Sequence, residues 1–142
     1  GMEAGAINDF VVLLDENMSW DILLLKEGPF SEHDTYTIIE GGHALFLGRC
    51  GTGKRSVCFL LHRRWINREA KLIFKRVGGR VAFLDLELGE LKLRLVTAHM
   101  PHSAYSQGDY ESELLCLEDI LESGRRKHCM NIVGTDANAI IG

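Results

Sequence analysis

Near its end the chain reads Gly134-Thr135-Asp136-Ala137-Asn138, directly after the apolar run that includes Ile132 and Val133. Alternate residues of an extended strand share one face. Asp136 and Asn138 therefore offer a carboxylate and an amide to the same small volume. Such a pair can orient a water and hold a phosphate or a hard cation. Glu27 supplies a second carboxylate, at the end of the stretch Ile22-Leu23-Leu24-Leu25-Lys26 and just before Gly28-Pro29. An acid at the mouth of a sheet is an oxygen ligand for the same kind of cation. His99-Met100-Pro101-His102 closes another apolar run, with Tyr105 shortly after. Neutral imidazole donates to a phosphoryl oxygen, and its charged form offsets negative charge developing there.

A different word, Gly48-Arg49-Cys50-Gly51-Thr52-Gly53-Lys54, has the spacing of a phosphate-binding loop. Its context is wrong. Arg55 stands where a Ser or Thr is needed for magnesium, and Ser56 to Leu61 is β-branched and apolar. Without a helix after the loop there is no row of aligned amides to cradle phosphate. A glycine-rich hairpin is the expected structure.

These residues must be positioned by one domain, the size to which 142 residues correspond. A hydrophobic fraction of 46% with 25% charged residues excludes disorder. The net charge of -4 argues against strong, purely electrostatic binding to nucleic acid. The local clusters Lys54-Arg55, Arg63-Arg64 with Arg68 and Lys71, and Arg125-Arg126-Lys127 read as a solvated rim. Four separated cysteines form neither a disulfide framework nor a zinc motif, which favours a reduced, intracellular compartment. No segment reaches membrane-spanning length and no secretory leader is visible, so no membrane partner is expected.

Ile7, Phe10, Val11, Leu14 and Met18 recur at helical spacing and predict a helix over 6–18. Ile22 to Leu25 is the pattern of a strand buried on both faces. Strands are expected at 36–40, 44–47, 57–61, 72–77, 81–88, 91–98 and 129–134. Gly41-Gly42-His43 turns one hairpin, and Gly78-Gly79 and Gly89-Glu90 make residues 71–99 an antiparallel meander. Asp109 is placed to cap a second helix whose stripe is Tyr110, Leu114, Leu117 and Leu121, with Gly124 as its stop.

In their order along the chain these words resemble the endonuclease/exonuclease/phosphatase family, the DNase I-like metal-dependent phosphoesterases. Asp21 to Glu27 is similar to that family's "DIL-x-LQE" strand, with Lys26 where the family has Gln. Leu95 to His102 resembles the strand bearing the phosphate-contacting His. Ile132 to Asn138 is similar to "GDFN", with Thr135 standing between Gly134 and Asp136. The HMPH and GTDANA words resemble the branch of retrotransposon-type and craniofacial-development-protein-like endonucleases. The resemblance implies a magnesium site, also open to manganese, with Glu27 as metal ligand. It further implies that Asp136 orients an attacking water while His99 and Asn138 stabilise charge on the phosphate. The implied partner is nucleic acid or another phosphodiester. The family's first strand with its Asn, and its later Asp and Ser-Asp-His elements, are not among these residues. Weak or absent catalysis is therefore expected from the chain alone. The alternative is a non-catalytic module that keeps the fold for oligomerisation or nucleic-acid docking.

Family members are sandwiches of two α/β halves. Residues 1–142 are thus expected to form a single domain of the first-half type, an α+β fold. It would have a mixed, largely antiparallel sheet with two main helices on one face. The strands are apolar on both sides: Val57, Phe59 and Leu61 oppose Cys58 and Leu60, and Ala82, Leu84, Leu86 and Leu88 oppose Val81 and Phe83. An uncovered apolar face is not tolerated in a stable monomer, so a homodimer packed through that face is expected.

Overall fold

The computed structural model describes residues 4–28, 32–48, 56–66, 70–77, 81–98, 107–134 and 139–141. Among the described residues, two α-helices and nine strands make the α+β fold that the periodicities predict. The helix α1 spans Ala4–Asn17 and is followed by β1, Ile22–Gly28. Then come β2 (Thr35–Ile38), β3 (Ala44–Leu47) and β4 (Ser56–Leu61). The meander is β5 (Lys71–Val77), β6 (Val81–Leu88) and β7 (Leu91–Ala98). The helix α2 spans Gln107–Arg126, and the chain finishes with β8 (Met130–Gly134) and β9 (Ala139–Ile141). No helix among the described residues is long and apolar enough to cross a membrane.

The strands divide into two sheets, ordered β2-β3-β4-β1-β9 and β5-β6-β7-β8. All described pairings are antiparallel except β7 with β8, which α2 joins as a parallel crossover. Alternation then sorts the side chains into three layers of core. Ile22, Leu24, Ala44, Phe46, Val57, Phe59 and Leu61 of the first sheet meet Ala82, Leu84, Leu86 and Leu95 of the second. On the outer face of the first sheet, Leu23, Leu45, Cys58 and Leu60 receive Ile7, Val11 and Leu14 of α1. On the outer face of the second, Val81, Phe83, Val96 and Ala98 pack against Ile120 of α2. The result is helix, sheet, sheet, helix.

Two expectations change with this layering. The helices lie on opposite outer faces of a pair of sheets, not together on one face of a single sheet. The inner apolar face, from which a homodimer was expected, is covered by the chain's own second sheet. Composition and alternation are the same for both arrangements. Only the crossing from β4 to β5, and back from β8 to β9, distinguishes them.

The β6–β7 turn closes as expected, with Leu88 opposite Leu91 and Gly89 at a positive φ of 60°, whereas Val77 stands opposite Val81, so three residues and not two connect β5 to β6. At the second helix the expected ends shift. Asp109 lies inside the first turn of α2, which starts at Gln107, and Gly124 is interior rather than a stop. The helix ends in a Schellman motif: the Cys129 amide donates to the Gly124 carbonyl (2.9 Å) and the His128 amide to that of Arg125 (3.0 Å). His128 takes the left-handed position, φ 61°.

Gly124 is required for a different reason. A Cβ there would collide with Asn131 Oδ1 of β8 and lie 3.1 Å from Arg94 Cδ. Both neighbours are held. Asn131 Nδ2 donates to the Leu121 carbonyl at 3.0 Å. Buried Arg94 forms a two-pronged pair with Asp85 (2.7 and 2.8 Å), donates to the Ile120 carbonyl (2.9 Å) and lies over the Phe83 ring. The hydrogen bonds it donates to Asp85 raise the guanidinium pKa further, outweighing desolvation. Alanine would favour the helix by about 1 kcal/mol, but overpacking costs about 1–3 kcal/mol where neighbours cannot move. Overpacking wins, so Gly124→Ala is expected to lower the urea unfolding midpoint at an unchanged slope.

Candidate functional site

Of the residues singled out for chemistry, Glu27 lies in β1, where the backbone is described. His99, His102, Tyr105, Asp136 and Asn138 lie outside the described residues. The strands on which they border are described, and they converge. In the pairing of β1 with β4, Leu25 is opposite Cys58 and Gly28 is opposite Ser56. The register thus slips by one residue across Lys26-Glu27. Bulges of this kind are common beside active sites, where they redirect a side chain. Thr97 and Gly134 are neighbours in parallel register, so β7 and β8 finish side by side. The chain resumes at Ala139 opposite Leu24, three residues before Glu27. Five residue steps separate Gly134 from Ala139, so the end of β8 lies within about 18 Å of the start of β9, which pairs with β1. β9 itself, which begins at the residue after Asn138, was absent from the sequence reading. Nothing in its short apolar pattern distinguishes it from a loop.

The glycine-rich word at 48–54 lies almost wholly outside the described residues. Its flanks are settled: β3 and β4 are antiparallel neighbours, with Leu47 opposite Cys58. A strand, not a helix, follows the loop, which removes the phosphate-loop geometry. The basic pair after β4 is committed to structure. Arg63 Nη1 donates to the Gly41 carbonyl (3.1 Å), while Arg64 pairs with Asp21 (3.0 Å) and donates to the Trp20 carbonyl (3.1 Å).

Among the described residues one trio of metal-ligating groups gathers, Asp15, His43 and His62, with ligating atoms within 4.8 Å of one another. Sequence spacing gives no sign of it. Asp15 comes from the end of α1, and the pairing of Ala44 with Leu61 makes His43 and His62 neighbours across two strands. The hydrogen bonds decide what the trio can do. His43 Nδ1 accepts from the Arg63 amide (3.0 Å), so Nε2 carries the proton that goes to Asp15 Oδ2 at 2.8 Å. His62 Nδ1 accepts from both the Arg64 amide (3.1 Å) and Arg64 Nε (3.2 Å). Each ring thus has its lone pair turned to N–H donors. A ligating imidazole needs the reverse, one lone pair on the metal and an N–H aimed at an acceptor. The trio therefore fits a metal poorly. His43 has no free nitrogen to serve as a base either. Asp15 Oδ1 also accepts from Trp20 Nε1 (2.8 Å), and the His43 ring lies against Trp20. The network ties α1 to the turns that start β3 and follow β4.

Comparison with family models, with curated proteins and with solved structures found no match to this chain.

The trio makes stability depend on pH. Burial, with nearby Arg64 and His43, disfavours protonation of His62 and lowers its pKa below the ordinary 6.5. Below that value the unfolded chain takes up this proton first, so stability falls as the pH drops towards the folded pKa. Burial raises the Asp15 pKa, but hydrogen bonds from His43 and Trp20 outweigh it and the net shift is downward from 3.8. Its contribution is full above the ordinary carboxylate range and is lost only at more acid pH. Urea unfolding between pH 7 and 3 is expected to weaken in two stages. His62→Asn keeps an acceptor for the Arg64 amide, and should remove the first stage while sparing the second.

Proposed function

We propose that this chain forms part of a DNase I-like, metal-dependent phosphodiesterase domain of the endonuclease kind. Glu27 is its metal ligand, Asp136 orients the attacking water, and His99 and Asn138 contact the phosphate. The observation that carries the reading is topological. β9 returns to pair with β1, the strand of Glu27, while β7 and β8 finish side by side immediately before the segments of His99 and Asp136. The strands bordering all four residues therefore approach one rim of a two-sheet sandwich. The bulge at Lys26-Glu27 on that rim adds support.

The donor set also suits the ion. Glu27 is a hard oxygen donor, of the kind that takes magnesium or manganese, unlike the imidazole-rich trio near α1. When bound, such an ion acts as a Lewis acid on the phosphoryl group. The chain's own groups do the rest: the Asp136 carboxylate accepts a proton from water and aims it, and His99 and Asn138 donate to phosphoryl oxygens as charge grows. A homodimer is not needed for this arrangement. The face that would have driven it is buried between the sheets, and gel filtration across a tenfold range of concentration is expected to give a monomer.

Metal binding is the first test, because the family's Ser-Asp-His element is not in these residues. Manganese titration followed by water-proton relaxation should show one site, weakened about tenfold or more by Glu27→Gln. Magnesium-dependent nicking of a supercoiled plasmid, if seen, should vanish in Asp136→Ala. Nucleic-acid binding without metal binding, unaffected by Glu27→Gln, would overturn the reading in favour of a docking module.

A further inference from the structure

The outer face of the second sheet is only partly covered by its helix. α2 packs against β6 and β8, while β5 forms the edge of the sheet beyond β6. Leu72 and Phe74 of β5 turn to the layer between the sheets, so Ile73, Lys75 and Val77 stand on the outer side. Ile73 is 39% exposed there. Between this strand and α2 lies an open cavity of about 400 Å³.

Its lining has two parts. Ile73, Val77, Phe83 and Ile120 give it apolar walls, and the Cys116 thiol beside them donates to the Val77 carbonyl (3.8 Å). The buried Arg94–Asp85 pair lies at its base, where the two charges cancel. The exposed charges are Lys75 from β5, with Lys127 and Asp119 from the α2 side. Neither lysine takes part in an ion pair among the described residues. Apolar walls with a few charged groups converging on them are the usual form of a small-molecule site. The walls favour hydrocarbon in proportion to the area buried, and two cations against one acid favour an anion. A wholly polar ion would leave the walls facing water, and a plain hydrocarbon would leave the lysines unused. We propose that this cavity binds a small amphipathic carboxylate. Its hydrocarbon body lies along Ile73, Val77 and Phe83, and its carboxylate meets Lys75 and Lys127. The ion pair at the base stays closed, because Arg94 already serves Asp85 and the Ile120 carbonyl.

The probe is octanoate, titrated into the whole chain by calorimetry, with octylammonium and octanol as charge controls. Octanoate is expected to saturate one site and to bind about tenfold more tightly than either control. Added salt should narrow that difference, since the lysines are exposed. Lys75→Gln combined with Lys127→Gln should leave octanoate about as weak as octanol. Ser123→Trp, which fills the cavity from the α2 side, should abolish binding of all three. The double glutamine variant changes only exposed positions and should keep the parent's urea midpoint, so it decides the matter even where Ser123→Trp does not fold. The proposal is overturned if octanoate fails to saturate, if octylammonium binds as tightly, or if the double variant binds octanoate like the parent. Binding that survives in a folded Ser123→Trp lies elsewhere and overturns it equally.

Discussion

Burial of one sheet against the other is the interaction on which the rest of this molecule depends. Each sheet is also covered outside by a helix, so its central strands lie between two apolar layers. The first part of β1, with β3, β4 and most of β6, must therefore be hydrophobic in successive positions, with odd and even residues serving different cores. Leu24 meets the other sheet while Leu23 meets α1. Phe59 and Leu60 divide in the same way. A slip of one residue in any of these strands would exchange the two sets and misfit both layers at once. The register of the whole sandwich is fixed by that double demand.

The buried ionic groups of this structure are paired. Arg94 crosses the outer face of the second sheet, and its guanidinium is fully engaged by Asp85, the Ile120 carbonyl and the Phe83 ring. A pair buried this deeply adds little net stability but is costly to break from one side. It fixes α2 against β6 and β7, and so the path by which the chain returns as β8. The Asp15, His43 and Trp20 network does the corresponding work for α1. It assembles side chains that elsewhere bind metals, yet backbone amides occupy the ring nitrogens. Proximity of ligand types is not coordination. The direction of each proton decides between them.

Among the described strands, pairing is irregular at the rim to which the proposed site belongs. A bulge in β1, the shared end of β7 and β8, and the short strand β9 all occur there. Strand ends are where backbone groups and side chains escape the demands of the core, so chemistry collects at them. β9 has a further consequence. By joining the first sheet after β8 has ended the second, it ties the two layers together.

The amino-acid sequence determined the elements whose signals are local. The Gly89-Glu90 turn set the register of β6 on β7, a 3.6-residue period marked both helices, and unbroken apolar runs marked strands buried on two sides. It also named Glu27, His99, Asp136 and Asn138, because their residue types and strand-end positions carry chemical meaning without coordinates. Tertiary structure decided what depends on distant pairing. It split the strands into two sheets, set α1 and α2 on opposite sides, and brought His43 beside His62 and Asp15. It gave Gly124 a packing role in place of a stop. An apolar face is the same string of letters whether it meets a helix, its own second sheet or another copy. Only the path of the chain through space selects among these, since the burial free energy depends on area and hardly at all on which partner supplies it.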